Sequence, residues 1–506
     1  MNDTNNNNRA LFLASFITLI AAGVGFSIRG AILSDWGTQF GFTKAQLGEL
    51  TGAGLVGFGF TIIACSLFAD FIGYKALMVL AFLLHAGSAV VTLAATPAFA
   101  AAGQPGAYWC LFIGALMFSL ANGVCESVIN PLVATLYPNQ KTHYLNILHA
   151  GWPGGLILGG ILALCFCGEG AYVSHLRWEI STAFFIPPVL YYGYVVFREK
   201  FPISEAKAAG VSIGTMLAEF ASPILIVLFL LHACVGYVEL GTDGWIQDIM
   251  SASIGKMATW LFIWTSGIMF ALRFFAGPIV EKINPVGLLL ISAILGCIGL
   301  YALGTTSGFA IIIAGTIYGI GKTFYWPTML GVVGERYPKG GALTMGFIGG
   351  VGMLSAGLLG GPGIGYFQDK YASEKLMASS EQLYSETKAG EPKGFLFFPA
   401  VSGLDGQKVG AAVKKERDLE AKQAKGESIE TDEHLTDSEK QIIEANLQGG
   451  RQALMVTAAV PAIMAVGYLF LVLYFRAKGG YQVEVLHGAK PIGEHYTGGM
   501  EGPGEG

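Results

Sequence analysis

Charge is scarce in this chain: 13% of its 506 residues are Asp, Glu, Lys or Arg, against 53% hydrophobic residues and a mean hydropathy of +0.55. That composition excludes a water-soluble globule and makes the chain an integral membrane protein. Cysteine is thin as well. Cys65, Cys110, Cys125, Cys165, Cys167, Cys234 and Cys297 all fall in apolar segments, which excludes a disulfide framework, and the Cys165/Cys167 pair has no metal-ligand company. No His/Cys/carboxylate cluster at metal spacing and no nucleophile–base pattern is present, so neither an enzyme nor a metal or cofactor is expected. A cleavable leader is not expected either: the Asn-rich "MNDTNNNNRALFLASF" runs into a span of full length, which should stay as an anchor. Nucleic acid is not an expected partner.

What the chain has instead is apolar segments along nearly its whole length. Twelve are long enough to cross a hydrocarbon core, at about 10–34, 46–67, 75–96, 107–134, 143–167, 179–197, 217–240, 257–280, 285–304, 308–333, 341–366 and 452–475. Each must satisfy its backbone internally, so each is expected to be helical. Arg9, Lys75, Lys141, Arg198, Lys200, Lys207, Lys282, Arg336, Lys339, Arg476 and Lys478 then share one side, against Lys44, Arg177 and Lys256 opposite. The basic side should be cytoplasmic, with both termini inside a multi-pass protein of the cytoplasmic (inner) membrane, surrounded by lipid.

The chain also repeats itself. "SLFADFIGYK" after the second span carries Asp70, Gly73 and Lys75, and "GPIVEKINP" after the eighth carries Gly277, Glu281 and Lys282. Gly123, Glu126 and Pro131 in the fourth span align without gaps on Gly319, Lys322 and Pro327 in the tenth. The polar link 198–210 is the natural boundary, giving an N-terminal bundle at 1–206 and a C-terminal bundle at 207–506. Two such halves suit a carrier whose rigid bundles rock about a site at their interface.

On these repeats the chain resembles the major facilitator superfamily, an all-α membrane fold of two pseudo-symmetric six-helix bundles. Asp70, Gly73 and Lys75 match that superfamily's Gly-x-x-x-Asp-Arg-x-Gly-Arg-Arg loop, while Ser66, Phe71 and Tyr74 depart from it. The resemblance implies a charge latch on the cytoplasmic side, here Asp70, Gly73 and Lys75 with Glu281 and Lys282 in the second half.

Asn122, Glu126 and Asn130 recur at i, i+4 and i+8, so they share one face of the fourth span. An ionised carboxylate at that depth is costly, so the face must meet protein or water and marks an ion path by default; a packing hydrogen bond or permanent ion pair is the structural alternative. Glu126-x-x-x-Asn130-Pro131, followed by Leu145-Asn146 on the fifth span, resembles the fucose/glucose/galactose:proton symporter branch. The resemblance implies proton coupling at Glu126 and a sugar cavity at Asn146. An acid that the fucose carriers place on the first span is missing here, where Arg29 is the ionisable residue.

A neutral sugar needs donors, acceptors and stacking walls. Asn122, Asn130, Asn146, His149, Lys322, Tyr325, Trp326 and Trp245 lie on segments expected to line one cavity. The spans expected there also carry Arg29, Glu126, Glu239 with Asp243, and Lys322, an order of base and acid that reverses between halves. Pairing of Glu126 with Lys322 or Arg29, and of Glu239 with Arg29 or Lys322, would balance the buried charge; Glu239 and Asp243 suit an outer gate equally well.

Residues 367–450 turn abruptly charged and should form an outer soluble insertion. Thr436 and Glu439 make a capping box for a short helix at about 437–448 ending near Gly449, and 411–425 should be helical. "KGFLFFPAVSG" could plug the outer face, and the tail from about 479 should be disordered. The leading expectation is a monomeric secondary-active sugar carrier coupled to protons. The alternatives are an organic anion carrier using Arg29 and Lys322, and a membrane sensor that does not transport.

Overall fold

The computed structural model describes residues 2–42, 44–167, 171–255, 257–389, 392–424, 434–484 and 486. Nine helices among them are long and apolar enough to cross a bilayer. Lys44–Ile72, Met257–Arg273 and the interrupted pair Ala310–Lys322 and Tyr325–Arg336 add three, which gives twelve spans. In chain order they are Asn2–Ala31, Lys44–Ile72, Tyr74–Leu93, Ala95–Leu136, Lys141–Phe166, Trp178–Arg198, Pro223–Ile254, Met257–Arg273, Ala276–Thr305, the interrupted pair, Pro338–Ser379 and Asp437–Ala477.

Two of the expected boundaries look different in space. The loop expected between the third and fourth spans is itself helical, and Ala95–Leu136 turns its corner at Gly103 (φ 67°, ψ −158°), a backbone shape that a side chain would strain. Ala276–Thr305 bends at Asn284 (φ 56°, ψ 165°), just before Pro285. Its first turns extend the eighth span past a break at Phe274 and Phe275, and the rest is the ninth span.

Close approach holds the bundles together, because lipid gives apolar side chains no reason to leave it and packing must supply the attraction. The first and fifth spans meet at Gly151 and Gly155, where an added Cβ would lie 2.5 Å from the carbonyl oxygens of Phe16 and Ile20. The seventh and eleventh spans touch in the same way: a Cβ on Gly241 would sit 2.8 Å from the Gly360 Cα, and one on Gly236 would overlap the Gly352 carbonyl. Both spans widen there into single π-type turns, Tyr237–Gly241 and Ala356–Gly360, which lie against each other. Such bulges are frequent at functional sites, and this one presents Glu239.

The helices of the eleventh and twelfth spans continue into the charged stretch. The eleventh helix runs on to Ser379, and the twelfth begins at Asp437, outside the apolar span, capped by Thr436 and Glu439 in the expected box. The helix does not stop near Gly449. It continues to Thr457, because Gly449 and Gly450 serve packing: a Cβ on Gly449 would lie 2.6 Å from the Gln368 carbonyl, and one on Gly450 2.9 Å from Ile249. Between these extensions lie Glu381–Thr387, a hairpin of Lys393–Phe395 with Phe398–Val401, and the expected helix, which spans Gly406–Ala424. Leu376, Ala412, Ile442 and Ala445 form its small core. Phe395 and Phe398 rest on Tyr366, so the expected plug sits on the eleventh span; Phe397 is 85% exposed.

The tail turns back where it is described. The Glu484 N–H donates to the Glu335 carbonyl and Arg336 pairs with Glu484 at 3.0 Å. Residues 479–484 are therefore docked, in contrast to the disorder expected from 479; the remainder of that expectation, at 485 and 487–506, lies outside the described residues.

Candidate functional site

A narrow cavity of about 480 Å³, including its open mouth, lies between the bundles. Thr18 and Ala22 of the first span, Asn122, Cys125 and Glu126 of the fourth, and His149 and Trp152 of the fifth form one wall. Glu239 of the seventh, Arg273 of the eighth, Trp326 of the tenth and Met353 of the eleventh form the other. The walls leave room for the centres of only a few waters, so a ligand of hexose size needs the bundles to part.

Glu126 is 6% exposed and, among the described residues, pairs with no cation. Its Oε2 accepts from Asn130 Nδ2 at 2.7 Å, one turn along the same helix, and Asn130 Oδ1 lies 2.9 Å from His149 Nε2 on the fifth span. With the Asn130 amide donating to the carboxylate, its oxygen takes the His149 Nε2–H. Asn130 thus stands behind the cavity wall as a bridge, and it does not line the cavity.

The expected cross-bundle ion pairs are not made. Lys322, fully buried, donates to Asp243 Oδ1 at 2.5 Å, and Glu239 is paired with Arg273 at 3.1 Å; both pairs stay within the second bundle. Among the described residues, Arg29 meets no carboxylate. Its guanidinium lies 3.7 Å from the Phe118 ring centroid and donates through Nη2 to Ser88, while Nε and Nη1 have no partner among those residues. The reason for the different pairing is Arg273. It is fully buried at the end of the helical run Met257–Arg273, and its charge claims the acid that pseudo-symmetry assigned elsewhere.

Arg273 had a signal in the sequence, since an intramembrane arginine is a functional candidate by default. Its three contacts did not: they depend on which helices meet. Nε donates to the Thr323 carbonyl at 2.8 Å, Nη1 to the His149 carbonyl at 2.6 Å, and Nη2 to Glu239. The His85–Tyr192 contact at 2.7 Å, continued by His85 Nε2 to Asn122 Oδ1 at 3.1 Å, was equally unforeseen.

The other expected binding residues scatter. Asn146 is buried between the bundles, where Nδ2 donates to the Thr142 carbonyl and to Thr328 Oγ1 at 3.1 Å, outside the cavity lining. Tyr325 turns away and donates to the Ser292 carbonyl; Trp326 stays in the lining beside His232. Trp245 donates to the Gly361 carbonyl in a separate hollow beside the helix Gly406–Ala424.

At the end of the bundles where Asn7 and Glu484 lie, the halves are sealed together. Asp70 Oδ2 accepts from the Ala342 N–H at 2.9 Å, Glu335 Oε1 accepts from the Thr142 N–H and hydroxyl at 3.0 and 2.6 Å, and Lys141 donates to the Gly334 carbonyl. Asp70 therefore bridges the bundles through a backbone amide. Gly73 only turns the chain (φ 96°), and Lys75 caps carbonyls of Phe197 and Glu199 within its own bundle. Glu281 and Lys282 are exposed and make no hydrogen bond or ion pair among the described residues, so the second-half latch expected of them is not formed. The nearby Gly277 N–H, which donates to His143 Nδ1 at 3.0 Å, makes the cross-bundle contact instead.

Comparison with known proteins agrees with this architecture. The family model of the Major Facilitator Superfamily matches residues 11–362. No curated protein sequence matches the chain. Among solved structures, the E. coli fucose:proton symporter FucP superposes with a TM-score of 0.57 at 14% identity, covering 91% of this chain and 98% of that one. A bacterial homologue of the human lysosomal transporter Spinster, inward-facing, gives 0.61 at 15% identity over 94% and 99% of the two chains. The human organic anion transporter MFSD10 gives 0.58 at 12% identity over 91% and 99%. With a family model spanning well over half of its length and this fold around a buried inter-bundle cavity, the chain belongs to the major facilitator superfamily.

Proposed function

We propose that this transporter carries a neutral, hexose-like sugar by alternating access, coupled to protons through Glu126. One observation carries the sugar reading. Glu239 Oε2 and Asn122 Nδ2 are buried polar atoms with no hydrogen-bond partner among the described residues, on opposite walls of a cavity that also holds Trp152 and Trp326. A free acceptor facing a free donor, between indole rings, suits hydroxyl groups on an apolar ring face, and an unmet buried polar group costs about 1–3 kcal/mol until a ligand meets it. An anion finds less there, because the lining cation Arg273 already has Glu239 and the nearby Lys322 has Asp243.

Proton coupling is supported by the isolation of Glu126. A carboxylate that faces an amide and no cation becomes neutral only by taking up a proton, and neutrality is the condition for crossing an occluded, dry state. Asn130 and His149 are its relay on this reading, and Asp70 with Ala342 is the latch. We place the division between the bundles at 206/207, the cytoplasmic membrane as the site of action, the termini inside, and the working unit as a monomer. That the fucose:proton symporter is among the structural neighbours is in keeping with this reading.

A second reading rests on Arg29, whose Nε and Nη1 are unpartnered among the described residues: an organic anion could be drawn to that guanidinium. Arg29 is not among the cavity-lining residues, which favours the sugar. Uptake into proteoliposomes of labelled hexoses and of labelled carboxylates under an imposed proton gradient separates the two. Hexose accumulation supports the proposal. Carboxylate uptake without hexose uptake refutes it, and movement of neither supports a sensor.

A further inference from the structure

We propose that Arg273 is a clasp between the bundles, and that Pro153 and Pro327 create the carbonyls it holds. In an α-helix each carbonyl accepts from the N–H four residues on, and proline has no N–H to give. Pro153 therefore releases the carbonyl of His149, and Pro327 that of Thr323. Those are the two carbonyls that Arg273 takes, through Nη1 at 2.6 Å and Nε at 2.8 Å. His149 belongs to the first bundle and Thr323 to the second, so one guanidinium ties the fifth span to the break in the tenth.

The third arm holds Glu239 at 3.1 Å in the π-type turn of the seventh span, which orients the guanidinium and balances its charge. Helix breaks meet at this point: the eighth span is interrupted at Phe274 and Phe275, directly after Arg273, and the tenth at Thr323 and Phe324. Interrupted helices of this kind expose backbone groups that a polar partner must satisfy, and a rocking motion can redistribute them. Arg273 satisfies them in the sealed arrangement. Parting the bundles removes the His149 carbonyl from its reach while leaving Thr323 and Glu239 in place, so the clasp acts on one bond per cycle. It is a positioning residue for the conformational step. The inference rests on the carrier reading only in needing the bundles to move, whatever the substrate or coupling ion.

The test is the rate at which Cys125, 1% exposed and in the cavity lining, reacts with a maleimide in nanodiscs, resolved from the other cysteines by peptide mass spectrometry. Pro153→Ala supplies the missing N–H and lets the helix compete for the His149 carbonyl. The clasp predicts labelling faster by about threefold to tenfold, the worth of one weakened hydrogen bond. A purely structural role predicts the reverse sign, since an interior proline replaced by alanine stabilises its helix. In the charge-balanced Arg273→Gln/Glu239→Gln background, labelling is at least as fast, and adding Pro153→Ala changes nothing further. Slower or unchanged labelling in Pro153→Ala overturns the proposal, as does an equal acceleration in both backgrounds. None of these outcomes depends on sugar uptake, so failure of the clasp and failure of the sugar reading are distinguishable.

Discussion

Replacing Glu126 by Gln tests its proposed proton-carrying role, because the amide keeps an oxygen for Asn130 Nδ2, now at 2.7 Å, and removes the titratable group. Glu126 is the carboxylate of the cavity lining that has no cation; the other, Glu239, has Arg273. Among the described residues the cavity lining thus offers one carboxylate without a cation, and one proton per sugar is the expected ratio. A gradient of one pH unit supplies about 1.4 kcal/mol per proton, so with the membrane potential held at zero the parent should accumulate sugar about tenfold. Potential adds to this, at about 2.3 kcal/mol per 100 mV for the charge moved. Glu126→Gln should equilibrate sugar without accumulating it, while exchange between equal pools continues. The assay is labelled hexose uptake in proteoliposomes under a potassium ionophore, with exchange measured in parallel. Tenfold accumulation by the mutant refutes the assignment and moves attention to Glu239; loss of exchange along with accumulation shows that Glu126 acts in binding or folding, which also refutes it.

Asp243→Asn leaves the fully buried Lys322 uncompensated and should destabilise by about 3–5 kcal/mol, whereas Asp243→Asn with Lys322→Met recovers most of that loss; thermal unfolding in detergent compares them. Asp70→Ala removes the acceptor of the Ala342 N–H and should weaken the seal between the bundles by about 1–3 kcal/mol, read as faster maleimide labelling of Cys125, with an unchanged rate counting against Asp70 as a latch. Thr436→Ala should cost the outer helix about 1 kcal/mol, visible as faster hydrogen exchange confined to residues near 437–448. Hydrogen bonding to Lys415 holds the Glu439 carboxyl below the usual carboxylate range. Because the folded value is the lower one, that contribution is present above the unfolded value of about 4.3 and is lost as pH falls through the folded one. Acidification should therefore loosen the same segment, and Glu439→Gln should abolish that pH dependence.

Much of this protein is written at the level of single segments. Apolar length dictates that a stretch crosses the bilayer, and the bilayer then dictates that it is helical, so twelve spans could be counted without any knowledge of their neighbours. The Thr436 and Glu439 cap is local for the same reason: four consecutive residues contain both partners. The stripe of Asn122, Glu126 and Asn130 follows from helical period alone, and so does the bond from Asn130 back to Glu126. Gly449 shows the limit of local reading. Glycine ends helices and also lets them touch, and only the Gln368 carbonyl 2.6 Å from its missing Cβ decides which.

Which charges meet was decided by the tertiary structure. Pseudo-symmetry brought Glu126, Lys322, Glu239 and Arg29 toward a common interface on paper, but pairing depends on a few ångströms of depth and on the rotation of each helix about its axis. Arg273 arrives from the eighth span to take Glu239, Asp243 takes Lys322, and Glu126 is left with an amide. Asn146 is turned toward Thr328 and out of the cavity by the same rotations. The physical reason is that hydrophobicity and period act along one helix, whereas buried charge is satisfied between helices, and a chain with so little charge has no redundancy to absorb a different pairing.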